Sequence, residues 1–370
     1  MRIGVDLLWV RPGIVGGTES FVRNLLDGFG QYDNENEYVL FAATDNAATF
    51  GDYEKYSNMR IHVCPVACAS QGKRILWENL HLDHTAKKKK VDVMFIPVYS
   101  KPFTYGSKIP YVCVIHDVQA LHYPQYFSKG KRIFLRYMWW FACRSSQRIL
   151  TDSKFCERDL KKRYPFAAEK IQTMYVPIIT QETTDEFDKI EKKYDISEGE
   201  YFYCVSSLLP HKNLDTLLQV VAKLKKRGSR MTLVISGVGG NKEAFAARVA
   251  ELGIEELVID TGFVSNEERD SLYEHCRVFL FPSIFEGFGM PPVEAMRKGR
   301  NVVTTRMSCL EEVTDGKAVY VDDAYDVENW IEKIAFAKQR ESKAEAFEQY
   351  ELENIIQQYK ACWKEIAQGK

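Results

Sequence analysis

An alternation that runs along this chain twice constrains its fold more than any other feature. Short apolar runs rich in β-branched residues are separated by stretches with helical periodicity. In the first half, IGVDLLW (3–9), YVLFAA (38–43), IHVCPV (61–66), VDVMFIPV (91–98), YVCVIHD (111–117) and RILTDS (148–153) read as strands. In the second, YFYCVSS (201–207), TLVISG (232–237), LVIDTG (257–262) and VFLFPS (278–283) repeat the pattern. Residues 19–29 and 133–144 are among the helical segments between them. Continuously apolar strands alternating with amphipathic helices belong in buried parallel sheets, so the expected class is α/β with two doubly wound domains. The 370 residues are enough for two cores of ~150–200 residues each. The β pattern stops near Pro177 and a helical one resumes at Phe187, which sets the expected boundaries at 1–178 and 187–345. The terminal segment 346–370, with its amphipathic stretch FEQYELENIIQQYKACWKEIAQ, forms a last helix.

Composition removes several function classes. With 13% aromatic residues and no repeat or low-complexity tract, the chain is neither disordered nor fibrous. Nine cysteines without a CxxC pair fall far below disulfide-scaffold density. Cys64, Cys68, His81 and His84 come loosely near a zinc pattern, but the histidines stand one residue too close and Cys64 sits in a strand pattern, so no metal is expected. No apolar run approaches the ~18 residues of a membrane span. Arg2 leads directly into the first strand pattern, which makes the reduced cytoplasm the expected location. The net charge of −1 hides an asymmetry: residues 1–180 carry 25 Lys+Arg against 17 Asp+Glu, the rest 25 against 34. A basic first half points to an anionic partner for that domain; ordinary fluctuation of charge along a chain is the plainer alternative.

The densest chemical pattern is FPSIFEGFGMPPVEAMRKG, residues 281–299. A strand ends, a loop carries Glu286, Gly287, Phe288 and Gly289, and Pro291 and Pro292 open a helix that Gly299 closes. Strand, glycine loop and helix N-terminus together make an anion site. Two carboxylates, Glu286 and Glu294, flank it, and carboxylates bind hydroxyls rather than phosphates. A hydrolase pair would stand about 5–9.5 Å apart, whereas eight helical residues span ~12 Å. A phosphate cradle between two hydroxyl-binding acids describes a nucleotide sugar.

These residues carry a resemblance. Glu286 and Glu294 form an E-x7-E element that resembles that of the retaining glycosyltransferases of family 4, with the GT-B fold. Four more segments and a glycine pair match in the family's order: Gly16-Gly17-Thr18-Glu19, Val114-Ile115-His116-Asp117, SSLLPHKN (206–213), Gly237-Val238-Gly239 and Gly262-Phe263-Val264. The likeness covers nearly the whole chain. It implies two Rossmann-like domains facing across a cleft, the first for the acceptor and the second for the nucleotide sugar, with the terminal helix crossing back onto the first. By position, Glu294 resembles the ribose-binding carboxylate. Glu286 and the backbone of Gly287, Phe288 and Gly289 resemble the part that holds sugar hydroxyls and diphosphate. Lys212 matches the lysine that neutralises the diphosphate, His116 a histidine near the scissile bond, and Gly16 and Gly17 a loop closing over the diphosphate. Gly237 belongs to the glycine pair after the next strand, and Phe263 and Val264 stand where the base would pack. One departure is clear. Many members have an arginine beside the lysine, where this chain has Ser207 and His211. Either His211 substitutes as a weaker, pH-dependent cation, or fewer charges hold the diphosphate.

The activity so implied is transfer of a hexose from a nucleotide-diphosphate sugar to a glycan or lipid-linked acceptor hydroxyl. The resemblance adds retention of configuration and a place in surface polysaccharide assembly; no strand-end Asp-x-Asp element is present, so no catalytic metal and no other cofactor is expected. Nucleic acid is not among the expected partners. The segment KGKRIFLRYMWWFACRSSQR carries Arg132, Arg136, Arg144 and Arg148 at multiples of four, with Phe134, Met138, Trp139, Trp140 and Phe141 on the remainder. With Lys87–Lys90 it resembles a basic, aromatic surface for anionic membrane on the inner face of the plasma membrane; a buried helix with a solvated arginine edge fits equally. Two other functions remain as alternatives: a non-catalytic nucleotide-sugar-binding protein, and an NAD-dependent oxidoreductase. The latter lacks a G-x-G-x-x-G after any strand with an acid ~20 residues on.

Overall fold

The computed structural model describes residues 1–13, 16–103, 107–179, 187–240 and 242–369. The chain divides into two compact units, Met1–Ile179 with Glu348–Lys370, and Thr180–Phe347. The segment expected to join the two domains lies largely outside the described residues.

In the first unit seven strands form one parallel sheet: β1 (Arg2–Asp6), β2 (Glu37–Ala43), β3 (Met59–Cys64), β4 (Val93–Ile96), β5 (Tyr111–Val114), β6 (Arg148–Thr151) and β7 (Ile171–Thr173), ordered β3-β2-β1-β4-β5-β6-β7. The second unit holds β8 (Tyr201–Val205), β9 (Thr232–Ser236), β10 (Val258–Gly262), β11 (Val278–Phe281), β12 (Val302–Thr305) and β13 (Val319–Val321), ordered β10-β9-β8-β11-β12-β13 and again parallel. Both sheets are doubly wound, as the alternation requires. Chain order reverses between β1 and β4, and between β8 and β11, and ligands of such sheets bind beyond the strand ends at this switch point.

Several strands stop earlier than their apolar runs. β1 ends at Asp6, whose carboxylate accepts the Leu8 N–H at 3.0 Å and turns the chain out of the sheet. β5 ends at Val114 and β11 at Phe281, so His116 and Ser283 stand in loops at the carboxyl edges. Three short strands escape the sequence pattern: β7, β12 and β13, of three or four residues.

The terminal helix Leu352–Ala367 is shorter than the pattern at 347–368, because a separate 3-10 turn, Glu348–Tyr350, precedes it. It packs on the helix Gly17–Tyr32 within the first unit. A Cβ at Gly28 would lie 2.6–2.7 Å from Leu352 and Ile356 side-chain atoms, so glycine is what lets the two helices approach. Beneath them Phe29, Phe95, Tyr359 and Trp363 meet edge-on in the core.

The helix Lys129–Ser145 divides its aromatics differently from the expectation. Met138, Trp139 and Phe141 are buried against the first sheet, while Phe134 and Trp140, joined by Ile133 and Tyr137, are exposed. A helix of this amphipathicity keeps one face in the core and leaves the other to solvent. No helix among the described residues is long and apolar enough to cross a membrane.

Candidate active site

In the second unit, the loops after β8 and β11 meet because these two strands are hydrogen-bonded neighbours at the switch point. Lys212 follows β8 and Glu286 follows β11, and Lys212 Nζ donates to Glu286 Oε1 at 2.6 Å. Both side chains are largely buried, and the lysine also lies over the Phe281 ring at 5.7 Å. The Ile284 N–H donates to the His211 carbonyl at 2.8 Å, which ties one loop to the other. Asn213 explains the Lys-Asn pair. It adopts a left-handed conformation (φ 48°), which asparagine tolerates better than most residues, and its side chain donates to the Ala324 carbonyl at 2.9 Å.

The loop bearing Glu286 is held by the segment after β12. Its N–H donates to Ser308 Oγ at 3.0 Å. The Cys309 thiol reaches the carbonyls of Glu286 (3.2 Å) and Phe288 (3.1 Å). Phe288 is buried, so only its backbone can face a ligand. Gly289 caps the helix Met290–Arg297 with φ 85°, and a Cβ there would fall 2.9 Å from Leu310 Cδ2. Both reasons require glycine. One expectation is corrected here. Pro291 and Pro292 are the second and third residues of that helix, so two of the N–H donors a helix N-terminus ordinarily offers do not exist. The N–H donors this turn can offer an anion are therefore mainly those of the loop backbone.

Glu294 lies one turn into the helix. Tyr273 Oη donates to its Oε2 at 2.8 Å, and Arg269 Nε lies 3.9 Å from the same oxygen. Burial disfavours the charge of Arg269, but Glu294 outweighs it and the guanidinium stays ionised. Glu286 and Glu294 thus have separate cationic or hydroxyl partners, which does not fit an acid–base pair across one bond. Arg269 and Tyr273, four residues apart on the helix Asn266–His275, were missed in the sequence; their shared helical face was the available signal.

His211 is not a cation. Burial, reinforced by the charge of Lys212, pushes its imidazole down to about 4, so it is neutral at physiological pH. In the ligand-free chain this position therefore supplies no second positive charge beside Lys212.

Gly237 and Gly239 follow β9, and Gly262 ends β10. The Gly237 N–H donates to the Gly262 carbonyl at 2.7 Å. Phe263 is 79% exposed, a Cβ added at Gly239 would lie 3.5 Å from its ring, and Val264 is half-buried beside it. An aromatic ring open to solvent offers a face on which a flat ring could stack.

In the first unit, Gly16 (φ 68°) caps the helix that begins at Gly17. Phe21 of that helix meets the His116 ring edge-on at 5.0 Å, which brings the glycine turn and the histidine to the same sheet edge. His116 is braced between the two strands flanking its own: Nδ1 is 2.7 Å from Asp152 Oδ2, after β6, and Nε2 is 3.0 Å from the Pro97 carbonyl, after β4. Burial alone would lower its pKa, but the Asp152 charge and hydrogen bond, with the Pro97 carbonyl, outweigh it and raise it. Both ring nitrogens face oxygens that accept, an arrangement that favours the protonated ring.

Nine free cysteines are all buried, and Cys64 and Cys68 gather no metal-binding cluster with other described residues.

Two family descriptions match this chain: Glycosyltransferase Family 4 over residues 15–182 and Glycosyl transferases group 1 over residues 186–353. It is 26% identical over 238 residues to the O-antigen chain mannosyltransferase RfbU of Salmonella typhimurium, covering 64% of this chain and 63% of that one. It is 29% identical over 226 residues to O-antigen chain mannosyltransferase B of Escherichia coli, covering 59% and 58%. The matches therefore span about three fifths of those two relatives. An uncharacterized glycosyltransferase of Methanocaldococcus jannaschii aligns at 23% identity over 97% of this chain and 96% of its own length. Among solved structures, Anabaena HepE in complex with UDP and glucose superposes with a TM-score of 0.71 at 19% identity, over 98% of this chain and 99% of that one. Sucrose-phosphate synthase of Thermosynechococcus elongatus does so with 0.76 at 13%, over the full length of both.

Proposed function

The chain belongs to the family 4 glycosyltransferases, with two Rossmann-like units of the GT-B type, and from that membership we propose a retaining hexosyltransferase that acts without a metal on a nucleotide-diphosphate sugar. The observation that carries this reading is the Lys212–Glu286 pair at the switch point of the second sheet. There one cation serves the diphosphate and one carboxylate serves the sugar hydroxyls. Glu294, held by Tyr273, takes the ribose, and Phe263 takes the base. The first unit receives the acceptor, a glycan or lipid-linked oligosaccharide of surface polysaccharide assembly, on the cytoplasmic face of the membrane. The names of the Salmonella and Escherichia relatives favour mannose as the sugar.

In this reading the bond from the sugar C1 to the diphosphate oxygen breaks as a bond from the acceptor oxygen forms on the same face. The departing phosphate oxygen takes the acceptor proton. Negative charge grows on the diphosphate as the old bond stretches, and Lys212 with the loop amides stabilises it. His116, whose surroundings favour the charged ring, places positive potential at the carboxyl edge of the first unit's sheet.

Thermal-shift titration with UDP, GDP and dTDP sugars tests donor binding, since a ligand of the folded state raises apparent stability by mass action. No stabilisation by any of them would refute the reading. The neutral His211 leaves the diphosphate site short of charge, which favours a second reading, a non-catalytic sugar-nucleotide binder. Transfer of labelled sugar to a lipid-linked acceptor separates the two.

A further inference from the structure

A pocket of about 590 Å³ opens on the first unit, between residues 120–124 and the helices Lys129–Ser145 and Lys154–Arg163. Four of its lining side chains are cations, Lys129, Arg132, Arg136 and Arg163, and none is an acid. The first three recur at helical spacing, so a single face of their helix presents them together. The acids of the facing helix are paired with other basic groups and do not line the pocket: Glu157 with Lys161 at 2.7 Å, and Asp159 with His122 in the 120–124 segment. Four like charges around one pocket repel each other, and a polyvalent anion relieves that repulsion. Arginine also matches phosphate oxygens with its forked donors.

Ile133 lines the same pocket and is 71% exposed. Tyr137 and Trp140 follow it along the helix, both exposed and stacked at 5.9 Å. A cationic pocket therefore runs directly into an exposed apolar ridge, with Ile133 belonging to both. A free phosphate would use the first and leave the second idle. A phosphodiester headgroup carries a single charge against four cations.

We infer that this pocket binds the diphosphate of a lipid-linked acceptor, with the adjoining hydrocarbon laid along Ile133, Tyr137 and Trp140. This rests on the proposed reading that the acceptor is lipid-linked, and its test needs no transfer activity. Farnesyl diphosphate is titrated into the full chain at saturating UDP, which fills the donor diphosphate site, and its binding is compared with that of inorganic diphosphate and farnesol. The wild type binds farnesyl diphosphate at least tenfold more tightly than either. Arg132→Glu/Arg136→Glu lowers that affinity at least tenfold while UDP affinity stays within twofold, which also reports that the variant is folded. Tyr137→Ser/Trp140→Ser lowers farnesyl diphosphate binding but not inorganic diphosphate binding. Equal affinity for inorganic diphosphate, or charge reversal without effect, overturns the inference. So does binding to phosphatidylglycerol vesicles that farnesyl diphosphate fails to displace, which would identify a general membrane surface. If UDP does not bind, GDP or dTDP takes its place; failure of all three would count against the donor reading alone, and the farnesyl diphosphate comparison, then made without nucleotide, would still decide this one.

Discussion

Lys212 Nζ and Glu286 Oε1 lie 2.6 Å apart although 74 residues separate them in sequence. They meet because β8 and β11 are neighbours in the second sheet while distant in the chain. Opposite charges so close, in a largely buried loop pair, hold each other in place before any ligand arrives.

Replacing Lys212 with Ala removes a preorganised donor to the leaving diphosphate. Transfer should fall about 10²–10³-fold, or about 2.7–4 kcal/mol of transition-state stabilisation. Because the charge it meets grows in the transition state, kcat and kcat/KM should fall together in steady-state kinetics. A rise in KM with kcat unchanged would contradict this role.

Glu294→Ala should abolish nucleotide binding in calorimetric titration. Tyr273→Phe keeps the ring and removes only the hydroxyl that donates to Glu294. Nucleotide affinity should then drop about tenfold, in the range of one charge-assisted hydrogen bond, with kcat little changed. Unaltered affinity in Tyr273→Phe would show that Glu294 needs no positioning.

The two site histidines give opposite pH signatures. The raised pKa of His116 means its contribution to stability is fully present below the unfolded value of 6.5 and is lost as pH rises through the folded value. His211, pushed down to about 4, behaves in reverse: between 6.5 and about 4 the unfolded chain binds a proton that the native one does not, so stability is lost as pH falls. Urea unfolding across pH 4–9 should show His116→Asn flattening the alkaline side of the profile and His211→Asn the acid side. Identical profiles for the two variants would remove the argument for their different charge states.

Gly289→Ala forces a Cβ into a left-handed position against Leu310. Destabilisation of at least about 1–2 kcal/mol is expected, together with weaker nucleotide binding. Gly316 also has positive φ (67°) but open space around it, so Gly316→Ala should carry the backbone strain alone and cost less in thermal unfolding. Equal losses would mean that the Leu310 contact relaxes freely.

Much of the fold was legible because its cause is local. A continuous apolar run marks a strand buried on both faces, and ten of the strands carry such a run. β7, β12 and β13 do not stand out, since strands of three or four residues are too short to show a pattern, even β12, which pairs on both sides. The helix Lys129–Ser145 shows the limit of periodicity. Its composition announced an aromatic helix, but only packing decided that Trp139 goes inward and Trp140 outward.

Order along the chain was enough to single out Lys212, Glu286, Glu294 and His116, because loops that follow strands of a doubly wound sheet collect at one edge and glycines there mark close backbone approach. Which atoms these residues touch was decided by sheet order alone. Strand neighbours in space are not neighbours in sequence, so Asp152 and Pro97 reach His116, Ser308 and Cys309 reach the Glu286 loop, and Tyr273 reaches Glu294, each from a separate segment. Charge state followed from those contacts. A linear sequence does not show which nitrogen is buried or what faces it, and burial is what lowers the pKa of His211 while the Asp152 carboxylate raises that of His116.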